Sequence, residues 1–163
     1  MAVATEAELE AQTAYITLQG LPSTGTLAAE LGGTTIYPGV YTNASSVGIT
    51  KGNLTLDAQG NPNATWVFQI GSSLTVGTPT SSESVILTNG AQAGNVYWAV
   101  GGLPGAVINY GGGGIMVGTI ISQPGITVSS PGQSTSATVT TINGRVLALN
   151  ASTTMVNTVI NVP

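Results

Sequence analysis

The side chains that enzymes use for acid–base, nucleophilic or metal chemistry are scarce in this sequence. It contains no His and no Cys, and its basic residues are Lys51 and Arg145 alone. The acidic residues are Glu6, Glu8, Glu10, Glu30, Asp57 and Glu83. A Ser–His–Asp or Cys–His site is therefore excluded, and a pair formed by Asp57 and Glu83 is only a minor alternative for catalysis. We expect a protein that is not an enzyme and that uses no metal and no cofactor.

The composition also limits the class of partner. The 163 residues are 42% hydrophobic, which is enough for one domain with a core, but only 5% are charged and the net charge is −4. Nucleic-acid phosphates and anionic membrane surfaces both need clustered cations, so neither is an expected partner. No apolar run reaches the roughly eighteen residues of a membrane span.

The first twenty residues predict one helix. Thr5 and Glu8 have the spacing of a capping box, and apolar residues then recur at helical intervals. Gly20 and Pro22 predict the end of the helix. We therefore expect a helix over residues 5–19 whose small, alanine-rich face packs along a sheet.

Short strands punctuated by Gly, Asn and Pro are expected from residue 31 onward. Apolar centres lie near Leu54, Leu74, Val96, Val117 and Val146, and the early steps between them are close to twenty residues. Short strands at a coil-like interval are typical of a β-solenoid, in which each turn stacks on the next. A β-sandwich is the alternative, because it also has short strands every 8–12 residues.

Four segments resemble motifs of the widespread microbial ice-binding protein family, and they occur in the order found there. They are Gly32 to Tyr41 (GGTTIYPGVY), Leu54 to Ser72, Asn89 to Gly101 and Thr141 to Asn150. The resemblance covers essentially the whole chain from the helix onward. It implies a mainly β fold, a right-handed β-solenoid of roughly triangular section with one long helix alongside. It also implies a secreted antifreeze protein that binds ice through one flat solenoid face and inhibits ice growth and recrystallisation.

The resemblance has one departure. Family members carry about fifty further residues before the helix, which form strands that complete the solenoid, whereas this sequence starts at the helix. We expect a single domain over residues 1–163, with the solenoid over 31–163, as an N-terminally trimmed member. Three explanations are open for the missing strands: they were removed from this sequence, they lie on a separate segment, or a neighbouring molecule supplies them through self-association. Glu6 follows Met1 too closely for a signal peptide, so an exported protein would be represented by its mature form.

The expected functional surface is a repeated array of small hydroxyl and methyl groups, because ice offers no charge and no pocket. Adjacent strands repeat at about 4.7–4.9 Å, close to lattice spacings in ice, and Thr is stiff at χ1. The candidate ice-binding residues are Thr78, Thr80, Ser82, Ser84, Thr127, Ser129, Ser136, Thr138, Thr153 and Thr154. Outward strand positions favour Thr in any protein, so these residues could equally be ordinary surface positions.

An alternative function is a structural or adhesive subunit that forms oligomers or filaments by strand donation. The motif residues themselves are expected to be structural. Asp57 should cap a loop, Arg145 should bond loop carbonyls or Asp57, and the aromatic residues should lie in the core or against the helix.

Overall fold

A computed structural model describes residues 2–130 and 138–163 of the chain. It contains one helix, α1 (Ala2–Gly20), followed by strands alone apart from a 3-10 turn at Ala93–Asn95. The strands are β1 (Gly25–Thr26), β2 (Thr35–Ile36), β3 (Gly39–Asn43), β4 (Val47–Ile49), β5 (Leu54–Asp57), β6 (Trp66–Ile70), β7 (Leu74–Val76), β8 (Val85–Thr88), β9 (Val96–Val100), β10 (Ala106–Ile108), β11 (Ile115–Ser122), β12 (Ile126–Val128), β13 (Thr140–Ala148), β14 (Thr153–Met155) and β15 (Thr158–Asn161).

The strands form three parallel sheets, here named A, B and C. Sheet A has the order β1-β3-β6-β9-β11-β13-β15, sheet B has β14-β12-β10-β7-β4, and sheet C has β2-β5-β8. From β3 to β9 the chain visits A, B and C in turn, so one strand from each sheet makes one coil. After β9 it alternates between sheets A and B, and successive coils stack on one another. This confirms a mainly β solenoid with three sides and one helix, and it excludes the β-sandwich, whose sheets are antiparallel. The right-handed sense stays a prediction.

The spacing of about twenty residues between the apolar centres does not measure the coil length. Leu54, Leu74 and Val96 lie on sheets C, B and A, so they belong to different faces of the solenoid. The coil steps follow from the strand pairing. They range from 20 residues (Ala106 to Ile126) to 32 residues (Leu74 to Ala106).

The helix is longer at its start than the capping box predicted. It begins at Ala2, so Thr5 lies inside the helix, because Ala2, Val3 and Ala4 continue the helical backbone before it. The solenoid likewise begins before residue 31, since Gly25 of β1 already pairs with Tyr41 of β3. In the part of the chain that the structure describes, no helix is long and apolar enough to cross a bilayer.

The helix is anchored to sheet A by a buried amide. The Nε2 of Gln69 on β6 donates to the backbone oxygens of Leu18 and Leu21, both at 2.8 Å. These carbonyls lie at the end of the helix, where they have no partner within it. A side chain of the sheet therefore satisfies the helix end and fixes its position.

Aliphatic and aromatic side chains fill the interior of the coils. Behind sheet A, the rings of Tyr41, Phe68 and Trp98 stack, with centroid distances of 6.2 Å and then 4.1 Å. The indole of Trp98 donates to the backbone oxygen of Val117 at 2.9 Å. Trp66, Phe68 and Trp98 are fully buried, so the core position predicted for them is confirmed.

Candidate functional site

The three sheets differ in what lies over their outer surfaces. Helix α1 covers sheet A, and a groove of about 660 Å³ remains between them, lined by Leu9 and Leu18 of the helix and by Tyr97 and Ile121 of the sheet. Within the described residues, no helix lies over sheet B or sheet C. A functional surface formed by a sheet must therefore be on one of these two sides.

The outer surface of sheet B is a single column of small side chains. Each strand of this sheet has three residues. In β4, β7, β10 and β12 the first and third residues are buried and point into the solenoid. The middle residues point outward and pair directly across the sheet. This central column is Gly48, Thr75, Val107, Thr127 and Thr154.

The strand pairing fixes the spacing within the central column. The tripeptides pair end to end without a shift in register, so neighbouring residues of the column are separated by the strand spacing of about 4.8 Å. Thr127 and Thr154 are direct neighbours, and Val107 separates Thr127 from Thr75. Since Val and Thr are β-branched and stiff at χ1, the column presents methyl and hydroxyl groups at regular intervals.

Closely packed corners hold the strands of sheet B in this register. Backbone amides continue the ladder beyond the strands, as when Leu74 donates to the oxygen of Gly105 at 3.1 Å and Ala106 donates to the oxygen of Gly125 at 3.2 Å. At the other ends of the strands, Asn109 donates to the oxygen of Val76 at 2.7 Å and Ser129 donates to the oxygen of Ile108 at 2.9 Å. The strands are therefore held together at both of their ends.

One carboxylate closes the first edge of sheet B. Glu30 forms a bridge with Gly48, and its side chain accepts bonds from the amide of Gly32 at 2.7 Å and from the amide and hydroxyl of Thr50 at 2.9 and 2.5 Å. Burial alone would raise the pKa of Glu30. The hydrogen bonds from Thr50 and from the amides of Gly32 and Lys51 outweigh it, so the pKa lies below its ordinary value.

Sheet B is otherwise uncharged. Its five strands, all of them described, contain no Asp, Glu, Lys or Arg. Among the described residues there is also no group of three acidic side chains placed to hold a metal ion. The chemistry available on this surface is hydrogen bonding by hydroxyl groups and ordering of water beside methyl groups.

The structure brings two of the candidate residues together on sheet B, Thr127 and Thr154. Thr153 belongs to the same strand as Thr154 but pairs with Ile126, in the row whose other members point into the solenoid. Thr138 is exposed just before β13. Four further candidate residues lie in the connection between β7 and β8, outside the sheet. They are Thr78, Thr80, Ser82 and Ser84.

Two candidates lie off the surface or cannot be placed. Ser129 is fully buried and has a φ of 59°, because it turns the corner after β12 and encloses its hydroxyl. Its prediction as an ice contact is wrong for that reason. Ser136 lies outside the described residues.

The sequence interpretation missed Thr75, Val107 and Gly48. A signal for Thr75 was present, because Leu74-Thr75-Val76 and Ile126-Thr127-Val128 are the same aliphatic–Thr–aliphatic tripeptide. The shared pattern implies two buried residues on either side of an outward Thr. Val107 and Gly48 carry no such signal, since only strand pairing identifies them.

The role expected for Asp57 is confirmed, whereas the contact expected between Arg145 and Asp57 is not. Asp57 caps its loop as predicted, accepting bonds from the amide of Gln59 at 2.8 Å and the side chain of Asn89 at 2.9 Å. Arg145 was expected to bond loop carbonyls or Asp57, and the second of these alternatives is wrong. It lies on β13 opposite Thr119 in sheet A, whereas Asp57 is on sheet C.

Comparison with known proteins identifies the family. A model of the family described as ice-binding-like matches residues 1–161. The chain belongs to the ice-binding-like family. This is not a family of enzymes, and it agrees with the resemblance seen in the four sequence motifs.

Individual family members support this assignment. An ice-binding protein of Nostoc sp. (strain HG1) is 39% identical over 157 residues, which cover 94% of this chain and 51% of that protein. The chain thus spans about half the length of this relative.

Solved structures of family members share the fold. The ice-binding protein of the Antarctic ascomycete Antarctomyces psychrotrophicus superposes with a TM-score of 0.84 at 34% identity, over 100% of this chain and 73% of the other. For ice-binding protein 1 of Shewanella frigidimarina, the TM-score is 0.85 at 28% identity, over 99% of this chain and 64% of the other.

Proposed function

We propose that this chain binds ice through the outer surface of sheet B and thereby inhibits ice growth and recrystallisation. The observation that carries the proposal is the central column, in which Thr75, Thr127 and Thr154 lie in register on an uncovered and uncharged sheet. The names of the family and of its relatives, which are ice-binding proteins, support the same function.

The physical basis is a match of spacing. Ice presents a lattice of oxygen atoms and no charge, so a single hydrogen-bonding side chain cannot distinguish it from liquid water. A regular column can, because groups about 4.8 Å apart along the sheet hold several waters in an ice-like arrangement at once. Stiff Thr side chains lose little conformational entropy in doing so.

The proposal includes the setting in which such a protein works. Ice forms outside cells first, so we propose a secreted protein that adsorbs to the crystal surface. It performs no catalysis, since the described surface of sheet B has no acid, base or nucleophile with an activating neighbour.

The test is an ice-activity assay on this chain at micromolar concentration. Thermal hysteresis and inhibition of recrystallisation are expected for the wild type, and Thr127→Tyr should strongly reduce both, because a ring in the column holds the neighbouring groups away from the ice. Circular dichroism should show an unchanged fold. A folded wild type without ice activity would contradict the proposal.

A filament-forming subunit is less well supported by the structure. An open filament needs two different complementary ends on each molecule. At the first end of the solenoid, Leu27 and Leu31 are buried and their amides donate to the oxygens of Thr42 and Gly48, both at 2.8 Å. The apolar interior is thus covered at this end, so a filament would have to form there through the edge strands β1, β2 and β4 alone.

A further inference from the structure

Sheet C ends earlier along the solenoid than sheets A and B. It consists of β2, β5 and β8, and no later strand of the described chain joins it. After β10 the chain passes through residues 109–114 directly into β11 on sheet A. The backbone that leads into β8 therefore has no strand of sheet C beside it in the following coil.

The side chain of Asn109 supplies bonds that such a strand would make. Its Nδ2 donates to the backbone oxygen of Glu83 at 3.0 Å, and its Oδ1 accepts from the backbone amide of Glu83 at 2.9 Å. A side-chain amide offers a donor and an acceptor as a peptide unit does, so one residue satisfies both backbone groups of Glu83. Asn109 is completely buried, and the loss of either bond would therefore leave a buried polar group without its partner.

The corner around Asn109 is shaped to accept this side chain. An added Cβ on Gly77 would overlap the Oδ1 of Asn109, and one on Gly114 would overlap its Nδ2. Asn109 itself has a φ of 46°, in the left-handed region that Asn adopts more readily than most residues. The backbone turn and the two glycines together allow the amide to reach Glu83.

The backbone of Asn109 continues sheet B. Its amide donates to the oxygen of Val76 at the end of β7, at 2.7 Å. The preceding carbonyl, that of Ile108, accepts from the amide of Ser129 beyond β12, at 2.9 Å. Asn109 thus lies where β10 is joined to both of its neighbours, two residues after the outward Val107.

We propose that Asn109 is a positioning residue for the ice-binding surface. By bonding Glu83 it holds the end of β10 against the preceding coil, and so keeps Val107 in line between Thr75 and Thr127 of the central column. Because Asn109 is buried, it acts through the column and makes no contact with ice. The inference rests on the proposed function of sheet B and names a residue that maintains the register of its column.

The test exchanges two buried amides for carboxyl groups. Asn109→Asp keeps the shape of the side chain, but a carboxylate cannot donate to the oxygen of Glu83. Gln69→Glu is the matched control, because Gln69 is also buried and donates to backbone oxygens, but it anchors the helix to sheet A. Burial and the oxygen of Glu83 raise the pKa of the new carboxyl at position 109. It therefore gains a proton, and with it a donor, as the pH falls from about 8 to about 5.

The readout is thermal hysteresis per folded molecule, relative to the wild type at the same pH. Asn109→Asp should lose most of it at about pH 8 and regain it toward about pH 5, whereas Gln69→Glu should keep the wild-type value throughout. Asn109→Gly, which removes the amide without adding charge or backbone strain, should stay low at every pH. Equal losses at positions 69 and 109, or a loss in Asn109→Asp that acid does not reverse, would overturn the proposal.

Hydrogen exchange gives a second readout that needs no ice. In Asn109→Gly, the amides at positions 109 and 129, which join β10 to its neighbours, should exchange faster than in the wild type. The amide of Thr55, which donates to the oxygen of Thr34 in sheet C at 2.9 Å, should change less. Exchange that increases no more at positions 109 and 129 than at Thr55 would contradict the role of Asn109, whether or not the chain binds ice. A wild type without ice activity would contradict the proposed function, so the two failures can be told apart.

Discussion

Strands of sheets B and C share the same local sequence pattern, but the outer surfaces of the two sheets differ. Leu54-Thr55-Leu56 on sheet C has the alternation of Ile126-Thr127-Val128 on sheet B, with a Thr pointing outward between buried aliphatic residues. The residues stacked beside each Thr differ. Thr127 lies between Val107 and Thr154, whereas Thr55 lies between Thr35 and the bulkier Ile86.

Charge separates the two sheets further. Sheet C carries Asp57 within β5, paired with Thr88, while no charged residue occurs in the strands of sheet B. A charged or bulky side chain breaks a regular array of water molecules, and an uncharged column of small groups preserves it. The two surfaces differ because different strands are stacked together, so the pattern of one strand does not determine the surface.

The largest expected effect comes from breaking the corner that supports sheet B. A Cβ at Gly105 would overlap the backbone oxygen of Gly125, so Gly105→Ala should separate β10 from β12. The free energy of unfolding should fall by roughly 3 kcal/mol or more. Ice activity should fall with it. Chemical denaturation and thermal hysteresis would measure the two losses.

Gly60→Ala is the matched control for that substitution. Gly60 has a φ of 86°, similar to the 95° of Gly105, but nothing lies within 4 Å of its added Cβ. It should cost only about 1–2 kcal/mol, the strain of a left-handed Ala. Equal losses in the two variants would show that the corner contact does not support the sheet.

The next effect concerns the covered sheet A. Gln69→Ala removes the donor that satisfies the carbonyls of Leu18 and Leu21, so it should cost about 1–3 kcal/mol. Because the helix lies away from sheet B, ice activity per folded molecule should not change. A parallel loss of activity would mean that the helix contributes to the ice contact.

A smaller effect is expected on acidification. The folded-state pKa of Glu30 is lowered, so its stabilising contribution is complete above the ordinary value of 4.5 and is lost as the pH falls through the folded-state pKa. The melting temperature of the wild type should decrease over this range, and Glu30→Gln should decrease less. Equal decreases in the wild type and in Glu30→Gln would contradict this role of Glu30.

The smallest expected effect tests the gap in the central column. Val107→Thr exchanges a methyl for a hydroxyl of nearly the same shape and completes an unbroken row from Thr75 to Thr154. The unfolding free energy should change by less than about 0.5 kcal/mol. Ice activity should rise modestly, and Val107→Ala should lower it; a decrease in both variants would show that the methyl groups dominate the contact.

The helix and the individual strands could be predicted because their signals are local, and the resemblance of the four motifs then favoured the solenoid over the β-sandwich. Alternation over three to five residues marks each strand, and the four motifs lie in turns and core positions. The proposed ice-binding surface is not formed locally. The central column joins residues 20 to 32 positions apart, as Ala106 to Ile126 and Leu74 to Ala106 show for the adjacent row.

Irregular coil lengths explain the particular errors. Because the connection from β7 to β8 is longer than the one from β4 to β5, Thr80 and Ser82 have the composition of a surface strand but lie in a loop. Ser129 follows an outward Thr by two positions, which predicts the same face, but a corner intervenes and turns it inward. Neither feature can be identified before the strand partners are known.

The most direct test of the central claim places the same ring on both sheets. Thr127→Tyr and Thr55→Tyr replace half-buried outward threonines in the same tripeptide context, so their effects on folding should be similar. We predict that Thr127→Tyr loses most of the thermal hysteresis while Thr55→Tyr keeps the wild-type value. Loss of thermal hysteresis in Thr55→Tyr alone would contradict the assignment and place the ice-binding surface on sheet C.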